Sequence, residues 1–282
     1  MSSGDHVIYI DSGGLKRRYV IHLPARVHAG PPDSLLPAVI MMDGRGGTPW
    51  TAMKSSGWSR KADEEDFIAV YPEALRLDPT GPQHFMDNPQ MWKTEAGSID
   101  VEFLRAVIAD VVARFHADPQ RVFLAGFSNG AVMAFRFAID APELIAAIAP
   151  VAAHFRMRDA VLRRPVPMIY FFGKQDPLSP FEGGPVAMPW GPVETRPAVS
   201  ETPARWAALC GIAGPSSISE RQDGVTIEIY GDNQVIFYAI DGLGHVWPGG
   251  HRLLPENIVG VPCDKVKATD VMWEFFLSHS CS

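Results

Sequence analysis

The chain has 282 residues and a formal charge of −7, from 25 Lys and Arg against 32 Asp and Glu. With 46% apolar and 20% charged residues it has the make-up of a globular protein with a sizeable core, which excludes whole-chain disorder. The acidic balance leaves no basic surplus to neutralise phosphates, so neither nucleic acid nor an anionic membrane is expected as a partner.

Three cysteines, Cys210, Cys263 and Cys281, are too few for a disulfide framework and leave one optional bridge. No apolar run reaches the roughly 18 residues of a membrane span, and residues 1–20 hold no signal-type apolar stretch. As written, the sequence is expected in the cytoplasm; secretion or a periplasmic location is the expectation if a leader has been trimmed.

In chain order, 7–10 and 18–23 read as an antiparallel pair joined by Asp11-Ser12-Gly13-Gly14. Apolar runs at 38–42, 67–71, 121–125, 145–150, 168–172 and 235–240 suit strands buried on both faces. The spacing predicts a helix over 98–115, with Ile99, Phe103, Ala106, Val107 and Val111 on one stripe and Ser98 as its N-cap. Further helices are expected over 129–139, closed by Pro142, and over 269–277, capped by Thr269. This alternation predicts an α/β fold with a mostly parallel central sheet and helices on both faces. Two Pro- and Gly-rich stretches, 75–94 and 177–197, lack periodicity and read as covers over a site.

The chemistry is concentrated at predicted strand ends. Gly126-Phe127-Ser128-Asn129-Gly130 directly follows the run at 121–125 and opens the next helix, the context of a nucleophile elbow. A serine hydroxyl there needs a base to take its proton, and the base needs an orienting carboxylate. Asp176 follows the run at 168–172, and His245 follows the run at 235–240, so Ser128, Asp176 and His245 stand in hydrolase order. Asp241 is a competing acid and Asp159 a weaker one. An oxyanion hole needs two backbone N–H groups: Asn129 supplies one, and Arg45, in Asp43-Gly44-Arg45-Gly46-Gly47 after the run at 38–42, supplies the other. Gly44, Trp247 and Trp92 are expected to contact the substrate, the two tryptophans as an aromatic wall. The chain has no HExxH, Walker A or GxGxxG pattern, so neither a metal nor a cofactor is expected.

GFSNG at 126–130, together with Asp118-Pro119-Gln120-Arg121-Val122, Ile148-Ala149-Pro150-Val151-Ala152 and Gly244-His245-Val246-Trp247-Pro248-Gly249-Gly250, resembles the polyhydroxybutyrate depolymerase and feruloyl esterase family of α/β-hydrolases. The likeness runs from about Arg18 to Phe276. It implies a single α/β-hydrolase domain over 1–282 that hydrolyses esters through an acyl-enzyme, with Ser128 as nucleophile, His245 as base and then acid, and Asp176 as orienting carboxylate. Implied substrates are small or oligomeric esters: polyhydroxyalkanoate oligomers, hydroxycinnamoyl esters and acetyl esters.

The chain departs from the family pattern where His-Gly is usual and Asp43-Gly44-Arg45 stands instead. Either Asp43 and Arg45 pair with each other, or Arg45 recruits a substrate carboxylate. Two other readings remain open on sequence alone: a peptidase on the same fold, and a catalytically silent binding protein that has kept it.

Overall fold

The computed structural model describes residues 2–25, 35–76, 80–85, 95–187 and 193–280. The opening hairpin is β1 (Gly4–Ser12) and β2 (Leu15–Leu23), turning at Gly13-Gly14. Then come β3 (Leu36–Met42), α1 (Pro49–Ser56), α2 (Trp58–Glu65), β4 (Ile68–Pro72), α3 (Glu95–Phe115) and β5 (Ala117–Phe127). The chain continues through α4 (Asn129–Asp140), β6 (Ala147–Val151), β7 (Met168–Gly173), a small hairpin of β8 (Gly184–Ala187) and β9 (Val193–Arg196), and α5 (Glu201–Leu209). It ends with β10 (Ser217–Glu220), β11 (Val225–Tyr230), β12 (Val235–Ile240), α6 (Glu256–Val259) and α7 (Ala268–Leu277).

One ten-stranded sheet runs in the order β1-β2-β4-β3-β5-β6-β7-β12-β11-β10. The six strands from β4 to β12 are parallel, and an antiparallel pair finishes each edge. Strand geometry sends alternate side chains to opposite faces. Ile40, Leu124, Ile148, Tyr170 and Phe172 accordingly enter one core with α3, α4 and α5. Val39, Phe123, Ala149, Ile169 and Phe171 enter the other with α1, α2 and α7. Because both faces are covered, the central strands are continuous apolar runs.

The second core is tied by rings. Trp58 stacks on Phe276 (6.0 Å between centroids), Phe276 on Phe123 (4.5 Å) and Phe67 on Trp273 (4.1 Å). Each such side chain contributes about 1.5–3 kcal/mol by leaving water.

Two expected caps are corrected. Ser98 lies inside α3, its hydroxyl donating to Glu102 at 3.0 Å, because the helix starts at Glu95. Thr269 lies in the first turn of α7 and not at its cap; its hydroxyl accepts from Trp247 Nε1 and donates to Ser56 O. The stretch 177–197, expected to be irregular, contains the β8–β9 hairpin. Helices α1, α2, α5 and α6 and strands β10 and β11 have no counterpart among the elements expected from sequence. Cys210 and Cys263 are free thiols, and Cys281 lies outside the described residues. Among the described residues no helix is long and apolar enough to cross a membrane.

Candidate active site

Parallel strands end on one side of a sheet, and that side carries the site. Met42 of β3 is level with Gly126 of β5, Phe127 with Val151 of β6, and Ile240 of β12 with Gly173 of β7. The loops that follow these strands therefore emerge side by side.

Ser128 is the turn between β5 and α4. Its backbone is at φ 52°, ψ −114°, a conformation costly for any residue with a Cβ, and its N–H donates to Val151 O at 2.9 Å. The flanking glycines are forced by contact: a Cβ on Gly126 would collide with the Gly130 carbonyl, and one on Gly130 with the Met42 carbonyl. Strand, strained serine and helix N-terminus are thus locked together, with the positive end of α4 behind the hydroxyl.

Asp176 follows β7 and is wholly buried. Oδ1 accepts from the N–H groups of Leu178 (2.8 Å) and Ser179 (2.9 Å), and Oδ2 lies 2.6 Å from Nδ1 of His245. His245 is held in turn by its own N–H, which donates to Val259 O at 2.6 Å, and by the Phe127 ring, 4.9 Å away between centroids. The structure brings Asp176 to His245 and leaves the two competitors elsewhere. Asp241 pairs with Lys174 Nζ at 3.2 Å, and Asp159 is exposed.

Asp43 does not meet Arg45. Its carboxylate turns inward, Oδ1 accepting from Gly44 N (2.8 Å) and Oδ2 from the Thr51 hydroxyl (2.5 Å). Burial pushes the Asp43 pKa up, and the bonds from Thr51, Gly44 and Thr48 oppose that shift. Gln83 braces the same loop: its carbonyl accepts from Gly46 N at 2.7 Å, and its amide donates to Gly47 O. The Asn129 side chain exchanges two bonds with the backbone of Phe85, at 2.8 and 3.1 Å. Among the described residues the backbone N–H groups of Arg45 and Asn129 have no acceptor.

A cavity of about 700 Å³ opens over these loops, and its lining includes Gly44, Arg45, Ser128, Asn129, His245 and Trp247. Trp247 is only 2% exposed and donates to Thr269, so it is packed into the wall and is not a free aromatic platform. Trp92 lies outside the described residues.

No protein-family model matches the chain. It is 26% identical over 281 residues to "Putative esterase NocK" of Nocardia uniformis subsp. tsuyamanensis, covering 89% of this chain and 78% of that protein. It is 29% identical over 157 residues to feruloyl esterase B of Piromyces equi, covering 52% of this chain but only 28% of that protein. An acetyl xylan esterase from Aspergillus awamori superposes with a TM-score of 0.68 at 17% identity, over 97% of this chain and 99% of that one.

The chain has the α/β-hydrolase fold. Within that fold, sequence reasoning reached the residues at the ends of β3, β5, β7 and β12 and missed those after β6. His154, Arg156 and, from the hairpin, Glu194 and Arg196 also line the cavity. The run at 145–150 was read as a strand, so its end was available as a signal. Arg196 carried none, because only the hairpin brings it there.

Proposed function

We propose that the protein is a serine ester hydrolase that cleaves carboxylic esters through an acyl-enzyme on Ser128. The observation that carries this reading is the 2.6 Å bond between His245 Nδ1 and Asp176 Oδ2 in a cavity shared with Ser128. The second ring nitrogen of His245 takes the Ser128 proton as Oγ attacks the ester carbonyl, and Asp176 holds the imidazole in the tautomer that leaves this nitrogen basic. Charge developing on the carbonyl oxygen is received by the N–H groups of Arg45 and Asn129, which have no acceptor among the described residues. Collapse expels the alcohol, protonated by His245. Water, deprotonated by His245, then attacks the acyl group, which leaves as the acid and restores Ser128.

The cavity volume accommodates a small ester or one end of an oligomer. The feruloyl and acetyl xylan esterases that the chain is similar to support feruloyl and acetyl esters, and the sequence resemblance adds polyhydroxyalkanoate oligomers. The test is hydrolysis of a short p-nitrophenyl ester together with fluorophosphonate labelling. Wild-type protein is expected to turn over and to label at Ser128, and Ser128→Ala and His245→Ala are expected to do neither. Near-wild-type turnover in either variant overturns the reading. A panel of acetyl, butyryl, 3-hydroxybutyryl and feruloyl esters then ranks the acyl groups.

A further inference from the structure

The protein carries a net charge of −7, yet the described wall of its cavity has the opposite balance. Arg45, Arg156, Arg196 and Arg252 line it, against the carboxylates of Asp43 and Glu194. Asp43 is occupied by Thr51 and Gly44, and Arg252 is matched by Glu256 at 2.6 Å. Glu194 lies 3.0 Å from Arg196 and 3.7 Å from Arg156, and the buried Nε of Arg156 has no hydrogen-bond partner among the described residues. The longer distance is an ion pair without a good hydrogen bond. Arg45 is exposed at the same cavity and has no carboxylate partner among the described residues.

The field of the two inner arginines reaches into the wall. Burial, helped by both charges, holds the neighbouring His154 imidazole uncharged, so it adds no positive charge of its own. The lining also includes the apolar side chains of Leu178, Val246, Leu253, Leu254 and Val259. A cavity that holds both guanidiniums and apolar side chains is complementary to a ligand with an acidic end and a hydrocarbon body.

We propose that this hydrolase selects esters that carry a free carboxylate, bound at the Arg156–Arg196 side of the cavity. The proposal rests on the esterase reading and names the substrate class of the same site. A guanidinium fork matches a carboxylate bidentately, which neither an ammonium nor a neutral amide reproduces.

The experiment compares matched esters differing only in a terminal carboxylate. On the acyl side these are p-nitrophenyl hemiglutarate against p-nitrophenyl valerate; on the alcohol side, 4-carboxyphenyl butyrate against phenyl butyrate. Wild-type protein is expected to favour the acid in at least one pair, by roughly 10- to 100-fold in kcat/KM, the range of a charged hydrogen-bonded contact. Arg156→Gln is expected to bring that ratio down about tenfold or more, with Arg156→Lys recovering only part of it, and Glu194→Gln is expected to raise it. No preference for the acid in either pair overturns the proposal, as does an Arg156→Gln variant with the wild-type ratio. If no ester at all is cleaved, the esterase reading fails by itself. Calorimetric binding of glutarate to wild-type protein and not to Arg156→Gln then still supports the anion subsite, and equal or absent binding in both removes it.

Discussion

His154 and Ser179 are joined across the wall of the cavity, Nε2 to Oγ at 2.7 Å, and the backbone N–H of Ser179 donates onward to Asp176. Burial, helped by the charges of Arg196 and Arg156, brings the His154 pKa down to about 3. An unfolded histidine titrates near 6.5. Between these values the unfolded chain binds one more proton than the folded one, so the contribution is complete above about pH 6.5 and is lost as the pH falls toward 3. The slope is at most about 1.4 kcal/mol per pH unit. Urea unfolding of wild type and His154→Gln, from about pH 7 to about pH 4.5, reads it directly. Wild type should lose stability more steeply on acidification, and parallel curves would refute the assignment.

Asp176 and Asp241 separate by the same kind of comparison. Asp176→Asn keeps the shape of the side chain but places the wrong tautomer on His245, for which a serine protease with the matching change loses about 10⁴ in kcat. Asp241 pairs with Lys174 on the surface, a contact worth about 0–1 kcal/mol, and Asp241→Asn should leave kcat near wild type. Steady-state kinetics on both variants decides it. A larger loss in Asp241→Asn would reverse the assignment of the acid.

What the sequence disclosed follows from how each residue reaches its place. Strands buried on both faces are apolar runs, so the ends of β3, β5, β7 and β12, and with them Ser128, Asp176 and His245, were legible. Helix α2 was not, because it is eight residues long and only Trp58 and Ala62 among them are apolar, too few to define a period. Its neighbour α1 is short, and its start is set by the reciprocal Thr48–Thr51 cap. Arg156 and Arg196 stand 40 positions apart and meet only through a hairpin in a stretch that has no periodicity. The inward turn of Asp43 depends on Thr51, eight residues on, a distance at which sequence pattern is silent.

Backbone strain at Ser128 gives a prediction independent of catalysis. At φ 52°, ψ −114° the hydroxyl is not what costs energy; the Cβ is. Ser128→Gly and Ser128→Ala both remove the nucleophile and should both be inactive, but glycine alone relieves the strain. The glycine variant should be the more stable of the two by about 1–2 kcal/mol, the strain of a sparsely populated conformation less the entropy glycine adds to the unfolded chain. Chemical denaturation of the two inactive proteins measures the difference, and an alanine variant of equal or greater stability would show that the turn is not strained.

In the proposed mechanism Asp43 acts on the reaction through the loop it braces and not by touching the reacting atoms. Its two oxygens collect the Gly44 N–H and the Thr51 hydroxyl, fixing the turn that carries Arg45, which lines the same cavity as Ser128. Deleting one oxyanion donor outright costs about 10²–10³ in kcat, so a loosened donor should cost less. Asp43→Ala is expected to lower kcat by about 10- to 100-fold with a smaller change in KM, because the donor matters most when charge develops on the oxygen. Asp43→Asn retains one acceptor and should recover part of the loss. A purely structural role would instead lower the melting temperature and leave kcat intact in the folded fraction, and that outcome would remove Asp43 from the reaction.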